Sequence, residues 1–249
     1  GIYVDEVIGL HSGINHITGD ISLQCEGYMI EDIYSKIKLP KFKKKTIITK
    51  NFNQADYTID EIKLFCNQLC RNISLRFGMY TLSHKLHSAM GSCGYDQLFI
   101  DFNNVYKEYP VFEKIKEIPC NINVDLNTAG ILTFPWNKDR LTSFLKNTRD
   151  DNFERKYDSL NHSIIHVKPF DIYLVTCGNH SIYCGMFKTG GKIPCSKEID
   201  YTQIISDFTL CDDIFIGKDG KKYKKSFFME LNPEMEYLFL LGKLLIEKE

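Results

Sequence analysis

The chain has 249 residues and a mass of 28.9 kDa, with 31 basic and 32 acidic side chains, a formal net charge of −1 and an apolar fraction of 43%. These values exclude a disordered chain, a collagen-like chain, a coiled-coil rod and a histone-like polycation, so any nucleic-acid contact must come from a local patch. Nine cysteines, an odd number with no C-x-x-C pair, point to reduced thiols and a cytoplasmic setting rather than a secreted disulfide scaffold.

The first residues, Gly1 to Glu6, carry no basic n-region and no apolar run, so no signal peptide is expected. Residues 1–24 show little periodicity. Residues 25–38 read as a helix stopped by Pro40, followed by a lysine cluster and the β-branched run Thr46–Thr49. Thr58 or Asp60 is placed to cap a strong helix whose apolar face is Ile62, Phe65, Leu69 and Ile73. A second helix is expected over 80–90, stopped by Gly91 or Gly94, and a third over 96–108.

The texture changes near Pro119. Residues 122–126 and 131–134 read as short strands, and Asn137 as the N-cap of a helix from Lys138 to about Thr148. A polar loop covers 150–161. Strands follow over 164–167 and 171–176, broken by Pro169. Gly178–Ser181 is a turn, 182–188 a short helix ended by Gly190-Gly191, and 213–228 a hairpin turning at Lys218-Asp219-Gly220. The last helix starts at Asn232-Pro233, with Met235, Leu238, Phe239, Gly242, Leu245 and Ile246 on its buried face. Its apolar stretch, Tyr237 to Ile246, is half the roughly 20 residues of a membrane span and contains Lys243. The chain therefore reads as α+β: a mostly helical region 1–117 packed on a mixed α/β region 118–249, with no membrane association.

Chemistry concentrates at one place. The apolar strand Ile172–Thr176 runs through Cys177 into Gly178-Asn179-His180-Ser181 and then into a helix. Gly178 permits φ > 0 and close backbone approach. The helix start offers free N–H groups and a positive dipole end, which together suit a phosphate. His180 and Ser181 add side-chain donors, and His180 is also a candidate proton carrier. The plainer alternative is a left-handed turn in which His180 caps the helix or satisfies a buried carbonyl.

This stretch resembles the Gly-x-His-Arg segment of the ParB and sulfiredoxin superfamily, where a strand leads into a phosphate-binding turn and a helix. Pro135-Trp136-Asn137-Lys138-Asp139-Arg140-Leu141 is similar to the opening of that fold, a short strand followed by an Arg-bearing helix. The resemblance covers residues of about 120–200. It implies a ParB/sulfiredoxin-like core, a nucleotide or nucleic-acid phosphate held by Gly178, Asn179, His180 and Ser181, and Mg²⁺ accompanying a nucleotide. The sequence departs from the pattern at Ser181, where the superfamily has Arg; Arg140 is the residue available to replace that charge. The Pro-Trp-Asn-Lys-Asp-Arg segment, the Gly-Asn-His-Ser turn and the C-terminal helix together also resemble an uncharacterised bacterial family of unknown function.

Other residues carry two readings each. Trp136, the only tryptophan, is either a base-stacking surface or a staple at the helix start. Asp139 and Arg140 either orient a phosphate or a metal-bound water, or form an exposed first turn. His84, His87, Cys66 and Cys70 have helical spacing for zinc, but cysteine on an apolar helix face is more simply core, and no metal site is expected. Cys177, His180 and Cys184 lack a fourth ligand. His162 and His166 on a strand would stand about 13 Å apart. The clusters around Phe42 (Lys36–Lys45) and Tyr223 (Lys218–Lys225) either track a phosphate backbone or are solvated surface. No G-x-S-x-G, Walker A or H-E-x-x-H motif is present. Two functions follow. One is binding of a phosphate-bearing ligand at the glycine turn, with His180 and Asp139 as catalytic residues and Arg140 and Trp136 as contacts if phosphoryl transfer or phosphodiester hydrolysis takes place. The other is a non-enzymatic protein-interaction module, such as a component of a bacterial stress or phage-defence assembly.

Overall fold

The structure, a computed structural model, describes residues 57–83, 93–102, 109–147, 153 and 157–249. The expectations for residues 1–56, including the helix over 25–38 and the lysine cluster around Phe42, lie outside the described residues, as do His84 and His87.

The first described helix, α1 (Ile59–Ser83), begins at a reciprocal cap. The Glu61 amide donates to Thr58 Oγ1 at 3.2 Å, and the Thr58 amide donates to Glu61 Oε2 at 2.8 Å. Its buried spine is Ile62, Cys66, Cys70, Ile73 and Phe77, all with at most 2% exposure. Phe65 and Leu69 flank that spine rather than form it. Of the helix expected over 80–90, residues 80–83 are the end of α1, and 84–90 lie outside the described residues. The helix expected over 96–108 is not formed at its start: a single 3-10 turn, Tyr95–Gln97, leads into Leu98–Phe102, where Ile100 bridges Lys225. Non-local pairing overrides helix propensity there.

Beyond the short α2 (Val111–Lys114), five strands form a mixed sheet: β1 (Lys116–Asp125), β2 (Ile131–Leu132), β3 (Ser163–Lys168), β4 (Ile172–Cys177) and β5 (Lys192–Asp200). Their order is β1-β5-β3-β4-β2, with β1–β5 and β3–β4 antiparallel and β5–β3 and β4–β2 parallel. Both faces are covered, so β3 is buried at four successive positions, Ile164 to Val167. Ile165, Val167, Ile172, Leu174 and Ile199 join the larger core with α1. Val124, Ile164, Val175, Ile193 and Cys195 join Ile182, Met186 and Phe153 on the other side.

Helix α3 (Lys138–Asn147) follows β2, and α4 (Asn179–Cys184) follows β4. The helix expected over 182–188 is displaced: α4 starts at Asn179, and Gly185–Thr189 is a π turn closed by Gly190. Gly78 of α1 lies against the Tyr183 ring of α4, in space that a Cβ would share with the ring.

After α5 (Thr202–Asp207) the chain forms an antiparallel meander, β6 (Phe208–Cys211), β7 (Ile214–Gly217) and β8 (Lys222–Lys224). The expected hairpin is the β7–β8 pair, and β6 adds a third strand. Helices α6 (Phe227–Leu231) and α7 (Glu234–Lys248) close the fold. The α7 residues Met235, Leu238, Phe239, Gly242 and Leu245 are buried, as their spacing predicts, whereas Ile246 is only partly buried, and Arg76 of α1 pairs with Glu234. The molecule is α+β.

Arg71 of α1 is buried and acts as an internal clamp. Its guanidinium donates to the carbonyls of Leu126 (2.9 Å), Ala129 (3.1 Å) and Met186 (3.3 Å), and lies 5.6 Å from the centre of the Phe187 ring. It ties α1 to the β1–β2 connection and to the π turn. Arg71→Ala strips partners from these carbonyls and should lower stability by about 2 kcal/mol, read as an earlier urea midpoint at unchanged slope.

Candidate functional site

Parallel pairing of β2 and β4 brings their C-terminal ends side by side, so the segment 133–137 leading into α3 runs past the turn leading into α4. Gly178 has φ 83° and ψ 26°, the left-handed conformation that its position implies. The side chains that follow point inward. Asn179 is 4% exposed; its Oδ1 accepts from the Phe134 amide at 2.7 Å and from Thr133 Oγ1 at 3.0 Å. His180 is 5% exposed; its Nε2 accepts from the Asn137 amide at 3.0 Å, and the Trp136 ring meets it edge-on at 5.5 Å. Asn137 Oδ1 accepts from the Arg140 amide at 2.9 Å and so caps α3 as expected. A chain of contacts therefore links the starts of α3 and α4: Arg140 backbone, Asn137, His180.

Burial, and then the charge of Arg140, hold the His180 imidazole down to about 4. The ring is neutral near pH 7, and the lone pair of Nε2 is taken by a backbone N–H.

Ser181 meets a residue that sequence reasoning did not pair with it. Ser181 Oγ donates to the Gly178 carbonyl at 3.0 Å and lies 2.7 Å from His162 Nε2. His162 Nδ1 accepts from the Asp158 amide at 3.0 Å. The Asp158 carbonyl also lies 3.1 Å from Nδ1, so either neutral tautomer finds partners, and burial keeps the ring neutral by lowering its pKa. Protonated at Nε2, the imidazole donates to the hydroxyl; protonated at Nδ1, it donates to the Asp158 carbonyl and accepts from the hydroxyl, as activation of a serine requires. Gly178 also makes room for this pair, since a Cβ there would lie 2.5 Å from His162 Cδ2.

Asp139 and Arg140 lie exposed on the first turn of α3, beside Lys138, and Trp136 is half-buried. The structure thus brings Trp136, Asn137, Arg140, Gly178, Asn179, His180 and Ser181 to one corner. Asn179 and His180 build it, and the α3 side chains Asp139 and Arg140 form its surface.

His166 belongs to a second cluster, on the sheet. Its Nδ1 lies 2.8 Å from Glu198 Oε2 and its Nε2 2.7 Å from Asp171 Oδ1; Lys168 Nζ holds Glu198 Oε1 at 2.8 Å, and the Tyr173 ring stacks at 5.0 Å. Burial opposes the charged ring, but the hydrogen bonds to Asp171 and Glu198 outweigh it and raise its pKa. His162 lies just before β3 rather than on it, and the two histidines have separate partners.

Among the described residues no group of three or more His, Cys, Asp or Glu side chains is placed to hold a metal ion. Cys66 and Cys70 are core residues. The cluster around Tyr223 is partly internal: Tyr223 is buried, Lys218 pairs with Asp207, and buried Lys225 pairs with Asp213 and Glu236. Among the described residues no helix is long and apolar enough to cross a membrane.

The fold and corner define an α+β protein whose strand–glycine–helix turn is locked to the start of a neighbouring helix. Residues 21–249 match DUF6710, a family of unknown function, and the chain belongs to that family. No curated protein and no solved structure matches it.

Proposed function

We propose that the protein binds a phosphate-bearing ligand, a nucleotide or a nucleic-acid phosphate, at the corner where α3 and α4 begin. The observation that carries this reading is the linkage of two helix starts beside one guanidinium: Asn137 caps α3, donates to His180 of α4, and the Arg140 charge acts on that same ring. Helix starts favour anions, and an exposed arginine can clamp a phosphate with two hydrogen bonds. The local likeness to the ParB/sulfiredoxin turn supports the same ligand class. In this reading Asn179 and His180 shape the site, Arg140 contacts the phosphate, Trp136 offers a ring to a base, and Asp139 meets Mg²⁺ carried in by a nucleotide. In this reading His180 is a structural residue, its Nε2 accepting from the Asn137 amide, and the proposed function is binding rather than turnover.

A thermal-shift screen with nucleoside mono-, di- and triphosphates and a short oligonucleotide, each with and without Mg²⁺, tests the proposal. A ligand at 100 times its Kd stabilises by about 2.7 kcal/mol. Arg140 is exposed, so Arg140→Ala should keep the melting temperature of the free protein and lose the ligand-induced shift. No shift with any ligand, or an equal shift in Arg140→Ala, contradicts it.

One observation favours the alternative of an interaction module in a bacterial stress or phage-defence assembly. Phe112 and Ile118 are 52% and 42% exposed, and Tyr95 meets the Phe112 ring at 5.8 Å and hydrogen-bonds Glu117 next to Ile118. A stoichiometric partner lost in Phe112→Ser would move the assignment to that reading.

A further inference from the structure

We propose that Cys120 and Cys195 form a reversible intramolecular disulfide that staples the edge strand β1 to β5. Their sulfurs lie 3.8 Å apart. The approach is a product of the sheet: β1 and β5 pair antiparallel, and a register shift between Pro119 and Ile122 brings Cys120 diagonally onto Cys195. Both are free thiols, Cys120 half-buried on the outer strand and Cys195 buried. Cys120 Sγ also donates to the Cys195 carbonyl at 3.3 Å, which holds it over its neighbour. Disulfide formation requires the sulfurs to close to about 2.05 Å, a side-chain rotation rather than a refolding of the strands.

The two thiols take different roles. Cys120 is the one solvent reaches. Cys195 is enclosed, and burial pushes its thiol up to about 11, so it is a poor first target for an oxidant. With a hydroperoxide as oxidant, the Cys120 thiolate attacks the peroxide oxygen, the O–O bond breaks, and a sulfenic acid forms as hydroxide leaves. Cys195 then attacks the Cys120 sulfur while giving up its proton; the S–S bond forms, the S–O bond breaks, and water leaves. Two thiols lose two electrons, the peroxide gains them, and two waters result. A small-molecule thiol reverses the reaction by exchange.

The consequence is mechanical. The bond closes a long loop and fixes an edge strand whose outer residues are largely exposed, so the oxidised protein should melt roughly 5–10 °C higher than the reduced one.

The test treats the folded full-length chain with hydrogen peroxide, blocks remaining thiols by alkylation, and maps the digest without reduction by mass spectrometry. The expected result is a Cys120–Cys195 linked peptide, loss of two alkylatable thiols, and their return with dithiothreitol. In Cys195→Ser, Cys120 should instead advance to the sulfinic acid. Alkylation of both cysteines after peroxide, sulfinic Cys120 in the wild-type chain, or linkage of either to another cysteine would overturn the proposal. The wild-type map decides the matter even if a variant fails to fold.

Discussion

Acidification from pH 6.5 to about 4 should cost the fold about 3 kcal/mol through His180. In the unfolded chain an imidazole takes up its proton near 6.5; in the fold, burial and then Arg140 delay uptake until about 4. Between those values the unfolded chain binds more protons, so stability rises with pH across the window and is lost as pH falls. His162 acts in the same direction, because burial lowers its pKa too. His166 acts elsewhere and with opposite sign: its folded pKa is raised, so its contribution is complete below 6.5 and is lost as pH rises through the raised value. Asp171 and Glu198 sit below their ordinary values, and their contributions fade only at and below about pH 4. Urea titrations of wild type and His180→Gln at pH 6.5 and 4 separate the effects. Glutamine can still accept from the Asn137 amide but does not titrate, so the variant should lose about 3 kcal/mol less on acidification. Equal losses would mean that His180 is not held neutral.

Gly178→Ala should destabilise by about 3 kcal/mol. Two costs add. At φ 83° a Cβ is strained whatever surrounds it. It would also lie 2.5 Å from His162 Cδ2 and 2.7 Å from the Asn161 carbonyl, and His162 is held on both sides by Ser181 and Asp158. Gly220 provides the control, with φ 77° and nothing within 4 Å of the added Cβ, so Gly220→Ala carries the strain alone, about 1 kcal/mol. Chemical unfolding of the two variants measures the difference, and equal losses would mean that the close approach to His162 carries no cost.

Local features were legible from residue order. The Thr58 and Asn137 caps, the left-handed Gly178 and the buried stripe of the last helix depend on neighbours within a few residues, where propensity and spacing act directly. Features set by distant partners were not. Asn179 finds Thr133 and Phe134 some 45 residues upstream, and Ser181 finds His162 across the β3–β4 hairpin. Polar residues after a glycine turn read the same whether they face a ligand or the interior; the parallel β2–β4 pair turns these inward. Strand β6 and the extended run 98–102 depend on pairing with β7 and Lys225, which no local pattern encodes. The same limit hid the Cys120–Cys195 approach, 75 residues apart in sequence.

In the proposed function a phosphate-bearing ligand docks on Arg140 at a corner built by Asn179 and His180. Trp136 is the only tryptophan, half-buried at that corner and edge-on to His180, so its emission reports the site directly. Titration of the protein with the nucleotide that gives the largest thermal shift, followed by tryptophan fluorescence, should show a saturable change in emission that vanishes in Arg140→Ala. A thermal shift with unchanged Trp136 emission would place the ligand elsewhere on the molecule and contradict docking at Arg140.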